Sequence, residues 1–269
     1  MQPGSYPALT FDAYAAAPGV SNSMLKRFAK APAKARFGVW KETPALEMGS
    51  LVHTAVLEPW ALEERYASTD LERRGTKAWA EEEARAGNRT LVKWHDFADA
   101  IAMRDAVMAH PVAGALIAPG LVVEQSIFWR DEATGLLRKA RPDGLRRDLR
   151  VAVDVKTCVD ASATEFGWAA HKFGYDWQAA GYCDGIEIAE GWRPDAFIFI
   201  AVEKEAPHLV AAYEILPEDI ARAAANVADA LARWAECEKA EAAGAEPRAA
   251  WPGYPNNLSP LSLPARAYE

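Results

Sequence analysis

Asp143, Asp154 and Lys156 are the residues of this chain whose types and spacing best suit chemistry. Asp154 and Lys156 lie two apart in VAVDVKTC (151–158), where Val151, Val153 and Val155 alternate with Ala152, Asp154 and Lys156. That period predicts a β-strand with one buried face, so the carboxylate and the ammonium project from the same side. Arg146 to Arg150 offers a turn that brings Asp143, on the preceding extended run, back beside them. Two aspartates and a lysine on one face can hold a divalent cation and steady a developing negative charge, as metal-assisted phosphodiester hydrolysis requires. An Asp-x-Lys triplet alone is more often a salt pair on a solvated face. The setting of Asp143 shifts that balance. In Arg141-Pro142-Asp143-Gly144 the proline removes a ladder donor and presents the aspartate at an irregular position, and the glycine permits close approach.

Several elements must position these groups. Residues 121–130 read as a strand carrying Glu124, 131–135 as a hairpin loop, 136–145 as a second strand and 151–158 as a third. Glu124 fits an additional ligand or a supporting group, although an exposed strand glutamate is the commoner reading. Thr43-Pro44 starts a helix over 44–58 that ends before Pro59, with Leu46, Gly49, Val52, His53 and Val56 on one buried stripe. A histidine on such a stripe is usually a hydrogen-bonded core residue, and His53 gains interest only from the acidic partners further on. Helices follow at 162–172 and 176–188, with Gly174 between them and Gln178 and Tyr182 on one face of the second. Residues 195–203 read as a strand buried on both faces, 208–215 as another, and 217–243 as an alanine-rich helix.

Ahead of these, residues 1–20 form an extended or loosely packed lead-in. Ser21 caps a helix through Leu25 and Phe28 that stops before Pro32, and a second short helix over about 33–40 carries Phe37 and Trp40. Residues 60–120 are mostly helical, near 60–66, 76–86 and 93–109, and their His95 and His110 lack partners at ligand spacing.

Composition sets the bounds. The 269 residues, 51% hydrophobic and 25% charged, can bury a substantial core in one large domain. Cys158, Cys183 and Cys237 are odd in number and lack metal-ligand spacing, which points to a reducing compartment without a disulfide framework. No apolar run is long enough to span a membrane and MQPGSYPALTFD is not a signal peptide, so a cytoplasmic location is expected. A net charge of −8 argues against indiscriminate nucleic-acid binding. The basic residues are nevertheless concentrated at Lys26, Arg27, Lys30, Lys34, Arg36 and Lys41, and around the proposed site at Arg138, Lys139, Arg141, Arg146, Arg147 and Arg150. A locally basic groove on an acidic body is compatible with DNA.

The combination GSLVH (49–53), RPDGL (141–145), VDVKT (153–157) and QAAGY (178–182) resembles the RecB-type branch of the PD-(D/E)xK nucleases. It is most similar to the RecE-type, exodeoxyribonuclease VIII-like nuclease domain of phages. SNSMLKRFAKAPAKAR, VEQSIFW, YDWQAAGYCDG and IAVEKEAPH occur in that family's order, so the likeness spans about residues 20–215. It implies an α/β fold: a restriction-endonuclease-like core with a central mixed sheet, flanking helices and a helical N-terminal region. The expected organisation is a lead-in (1–20), one nuclease domain (21–245) and a tail (246–269). The domain divides into a helical part (21–120), a sheet core (121–216) and a C-terminal helix (217–243).

Carried over residue by residue, the resemblance implies metal ligation by His53, Asp143, Asp154 and the Val155 carbonyl. Lys156 becomes the catalytic lysine, and Gln178 and Tyr182 support the site or touch DNA. Ser21 or Ser23 would hold a terminal phosphate, while Lys26, Arg36 and Arg141 would contact the backbone. The implied cofactor is Mg²⁺, with Mn²⁺ as a substitute given the imidazole ligand, and no iron–sulfur cluster. The implied activity is 5′-to-3′ exonucleolysis of linear double-stranded DNA ends, leaving 3′ single strands for recombination. The implied partners are an annealing protein and copies of the same chain in a ring such as a tetramer, encoded by a phage or prophage and working in the bacterial cytoplasm. An endonuclease of this fold and a non-cutting DNA-binding module are the alternatives.

Overall fold

The protein is described over residues 1–39 and 43–262 by a computed structural model. It begins with β1 (Gly4–Tyr6), α1 (Phe11–Ala16) and β2 (Val20–Ser21), followed by α2 (Asn22–Lys30) and α3 (Pro32–Arg36). Ser21 caps α2 by accepting from the Met24 N–H, and Pro32 separates α2 from α3 because the residue before a proline leaves the helical region. α4 (Pro44–Leu57) starts as expected, with the Thr43 hydroxyl accepting from the Leu46 N–H and Pro44 in the first turn. After one 3₁₀ turn come α5 (Leu62–Arg65), β3 (Tyr66–Thr69), α6 (Lys77–Ala86), β4 (Thr90–Lys93), α7 (Trp94–Ala109) and α8 (Pro111–Leu116). The sheet region contains β5 (Val122–Val123), β6 (Ser126–Arg130), β7 (Leu137–Ala140), β8 (Gly144–Arg146) and β9 (Val151–Cys158). The rest is α9 (Ala163–Phe173), α10 (Tyr175–Glu190), β10 (Ala196–Glu203), β11 (Val210–Glu214), α11 (Pro217–Ala242) and α12 (Pro247–Ala250).

The central sheet is mixed, in the order β11-β10-β9-β8-β5, with β9 and β10 parallel and the other pairs antiparallel. Val153, Val155, Ile200 and Val202 face α4, α7 and α8, while Ala152, Phe197, Phe199 and Ala201 face α9 and α10. β9 is therefore buried on both sides, where its alternation predicted one buried face. A second sheet, β1-β6-β7-β2, packs against α10.

Other expectations needed correction. The run 136–145 is two strands in different sheets, because Arg141-Pro142-Asp143 interrupts the ladder between β7 and β8. The run 121–130 is broken at Glu124, whose φ of 54° turns the chain out of the strand. The mostly helical stretch 60–120 also contains β3 and β4, a parallel pair too short for alternation to show. The lead-in is extended at both ends, where β1 pairs antiparallel with β6 and β2 parallel with β7, and it is packed and not loose, with α1 between the two strands. The short helix expected near 33–40 ends at Arg36, and Trp40 and Lys41 lie outside the described residues. Leu46 is exposed, and full burial on α4 begins at Leu51. Among the described residues no helix is long and apolar enough to cross a membrane.

Candidate active site

β8 pairs with β9 only as far as Gly144 opposite Val153, so the edge of β9 beyond that point needs other partners. Asp143 provides one: its Oδ2 accepts the Val155 N–H at 2.7 Å. A strand residue's N–H and C=O point to the same edge, so the Val155 carbonyl also faces this gap. On its other side Asp143 accepts the Glu124 N–H at its own carbonyl, at 3.2 Å, which ties the left-handed turn at Glu124 to the site. Gly144 lets the Leu121 side chain pack against the backbone here, since a Cβ would lie 2.6 Å from Leu121 Cδ1.

α4 delivers His53 to this gap. Its Nε2 lies 2.5 Å from Asp143 Oδ2 and its Nδ1 lies 3.2 Å from Glu124 Oε1. Burial alone would lower the His53 pKa, but the charge and hydrogen bond of Asp143, then those of Glu124, raise it to about 10. Burial likewise pushes the Asp143 carboxyl up, and the neighbouring imidazolium outweighs it and holds the group low. Arg141 fixes Glu124 from behind: Nε donates to Oε2 at 2.5 Å, and Nη1 donates to the Ser126 hydroxyl at 2.6 Å and to the Leu9 carbonyl at 2.8 Å.

Asp154 is completely buried next to this group. Its Oδ2 accepts from Gln178 Nε2 on α10, and its Oδ1 faces Lys156 Nζ in an ion pair. Burial and then the charge of Asp143 raise its carboxyl to about 6. Lys156 would lose its proton more easily through burial, but Asp154 and Asp143 overcome that, so it stays an ammonium. Its Nζ lies 4.9 Å from the centre of the Tyr175 ring. Tyr182, one turn beyond Gln178, packs on Phe197 and remains a neutral phenol because of burial and of the acidic groups around it.

The residues proposed to touch DNA divide into two sets. Ser21 and Ser23 lie with their hydroxyls 2.9 Å apart at the start of α2, and Lys26 on the same helix donates to the Phe173 carbonyl at 2.6 Å. Burial, and next the charge of Lys156, lower the Lys26 pKa to about 8, so Lys26 belongs to the electrostatic surroundings of the site. Arg36 instead forms a two-pronged pair with Glu241 near the end of α11. Arg141 is committed to Glu124 and points inward.

One ligand atom each from His53, Glu124 and Asp143 lies within 4.8 Å of the others. Two carboxylates and one imidazole, with the Asp154 carboxyl and the Val155 carbonyl alongside, fit a hard divalent cation such as Mg²⁺ or Mn²⁺. Burial, then the charge of Asp143, raises the Asp154 carboxyl in spite of its ion pair with Lys156, and a divalent cation beside it would offset both. The tightest group thus contains Glu124 in place of Asp154, which the sequence reading ranked higher. The signal for Glu124 was present. Glu124-Gln125-Ser126, three polar residues between the apolar runs LVV and IFW, breaks the strand alternation at the point where the chain turns.

A family model described as a PDDEXK-like domain of unknown function (DUF3799) matches residues 21–248. No curated protein matches the sequence significantly. Among solved structures, one described as a putative exonuclease from Eubacterium rectale superposes with a TM-score of 0.60 at 16% identity, over 84% of this chain and 86% of its own. Another, SSO0001, covers 71% of this chain and 92% of its own at 16% identity, with a TM-score of 0.31.

Proposed function

Because this chain belongs to the PDDEXK-like domain family and has the restriction-endonuclease-like α/β core, we propose that it is a divalent-metal-dependent nuclease that hydrolyses DNA phosphodiester bonds. The observation that carries this reading is the meeting of α4, the Glu124 turn, β8, β9 and α10 at one buried cluster. There His53, Glu124 and Asp143 lie within ligand distance of one another, and Asp154, bound by Gln178 and paired with Lys156, is buried beside them.

His53, Glu124, Asp143, Asp154 and the Val155 carbonyl would hold a Mg²⁺ ion, which when bound would supply a Lewis acid for a phosphoryl oxygen and lower the pKa of a bound water. The chain's own residues do the rest. Lys156, kept protonated by Asp154 and Asp143, acts through its charge: it neutralises the negative charge that grows on the phosphoryl group and orients the attacking water. Gln178 fixes the rotamer of Asp154, and the Val155 N–H fixes Asp143.

The finer reading is a RecE-type exonuclease that degrades linear double-stranded DNA 5′ to 3′ and leaves 3′ single strands for an annealing partner in a phage-infected bacterial cytoplasm. The order of the motifs GSLVH, RPDGL, VDVKT and QAAGY supports it. A ring-shaped homo-oligomer accords with Trp60, Trp94 and Trp168, which stay 67%, 55% and 53% exposed. Incubation of 5′-end-labelled linear duplex and of covalently closed circles with Mg²⁺ tests the reading. The linear DNA should shorten from its 5′ ends while the circle survives. Cutting of the circle would make the protein an endonuclease, and an intact linear duplex would remove the nuclease reading altogether.

A further inference from the structure

The joint between α9 and α10 carries groups that the hydrolytic scheme does not use. Phe173, the last residue of α9, is 52% exposed, an unusual state for a phenylalanine next to a buried charged cluster. Its ring is stacked on that of Tyr175, with centroids 6.0 Å apart and planes 29° from parallel. Two cations lie close to Tyr175, with Lys156 Nζ 4.9 Å and Lys26 Nζ 5.9 Å from its ring centre. A third, Lys172, sits 5.6 Å from the Phe173 ring. The chain is shaped to admit Lys26 here: Gly174 takes a φ of 63°, and a Cβ on it would lie 2.6 Å from Lys26 Cδ.

We propose that Phe173 and Lys26 form a nucleotide subsite next to the scissile phosphate, in which an unpaired base of the substrate strand stacks on Phe173 and its phosphate meets Lys26. The argument rests on the nuclease reading for the identity of the ligand and, for the site, on two observations and the stacking geometry of duplex DNA. An exposed aromatic face flanked by ammonium groups is the combination that binds single-stranded nucleic acid, by stacking on one side and charge neutralisation on the other. Lys26 and Lys156 both lie within 6 Å of the Tyr175 ring centre, so a strand whose phosphate reaches Lys156 passes close to Lys26. Finally, a base inside continuous duplex has both faces covered by its neighbours. Only a terminal or splayed nucleotide can offer a face to Phe173, so the subsite selects strand ends.

Binding to the full chain in Ca²⁺ tests this with two probes: a linear duplex bearing a short unpaired thymidine tail, and a closed circular duplex. Phe173→Ala should weaken the tailed duplex by about 5- to 150-fold, the scale of one lost base–aromatic stack, while affinity for the circle barely changes. Phe173→Trp should retain tail binding. Lys26→Met should make the slope of log affinity against log salt shallower by about one phosphate contact. Unchanged tail affinity in Phe173→Ala, or equal losses on tail and circle, would overturn the subsite, as would failure of Phe173→Trp to bind. Cleavage by the unchanged chain in Mg²⁺ is scored separately. An inert chain whose tail binding still needs Phe173 removes the nuclease reading and keeps the subsite, and a cutting chain indifferent to Phe173 does the reverse.

Discussion

Glu124 and Gln125 are neighbours in sequence, yet each serves a different carboxylate cluster. Gln125 turns to Glu190, whose Oε1 also accepts from the Ser5 hydroxyl at 3.0 Å and from Arg147 Nη2 at 2.9 Å. Glu190 Oε2 accepts from Arg147 Nε at 2.9 Å and from Trp192 Nε1 at 3.1 Å. Here one carboxylate meets one guanidinium and a full set of donors. Burial raises the Glu190 carboxyl pKa, but Arg147 and Trp192 outweigh it and hold the group below its ordinary value. In the cluster that Glu124 joins, three carboxylates converge with Arg141, Lys156 and the His53 imidazolium, and His53 must give up its proton before it can ligate a cation. Burial, and then the charge of Asp143, raises Asp154 to about 6. A saturated cluster ties β1, β6 and α10 together. The Glu124 cluster, once His53 is neutral, has an excess of negative charge that a divalent cation can satisfy.

The largest expected break in this contrast is at Lys156. Lys156→Ala should lower kcat by at least about 100- to 1000-fold while DNA still binds, as loss of a preorganised charge stabiliser does. Retained turnover in a single-turnover assay would show that the ammonium is only a structural counter-ion of Asp154. Next comes His53→Ala, expected to weaken Mn²⁺ binding by about 10- to 100-fold in a calorimetric titration. An unchanged isotherm would reduce His53 to a packing residue of α4.

Glu190 provides the opposite case. Glu190→Gln should cost about 1–3 kcal/mol in urea unfolding at neutral pH, by leaving charged donors poorly matched, with metal binding intact. The sign of its pH dependence follows from the depressed carboxyl pKa. The stabilisation is fully present above the unfolded value of about 4.3 and is lost as pH falls through the folded one. The stability difference between the native chain and Glu190→Gln should therefore shrink on acidification, and a difference that grows would contradict the brace.

Much of this arrangement was legible in the residues. Val151 to Cys158 announces its strand by alternation, Thr43-Pro44 announces the start of α4, and Gln178 and Tyr182 share a face because they are four apart on a helix. Periodicity could not show which sheet each strand joins. β7 and β8 diverge at Arg141-Pro142-Asp143, since a proline that removes one ladder donor lets the two halves find different partners. Nor could alternation rank Glu124, because its role depends on a positive φ and on Arg141, which comes from the far side of a hairpin. The charged strand looked half-solvated from its sequence and is buried because α10 covers it, a tertiary effect with no local signal.

The comparison reduces to one titration: Mn²⁺ into the native chain, Asp143→Asn and Glu190→Gln, followed by calorimetry. The account requires binding in the native chain and in Glu190→Gln, and loss of that binding in Asp143→Asn. A native chain that takes up no cation, or an Asp143→Asn chain that binds as tightly as the native one, would contradict it.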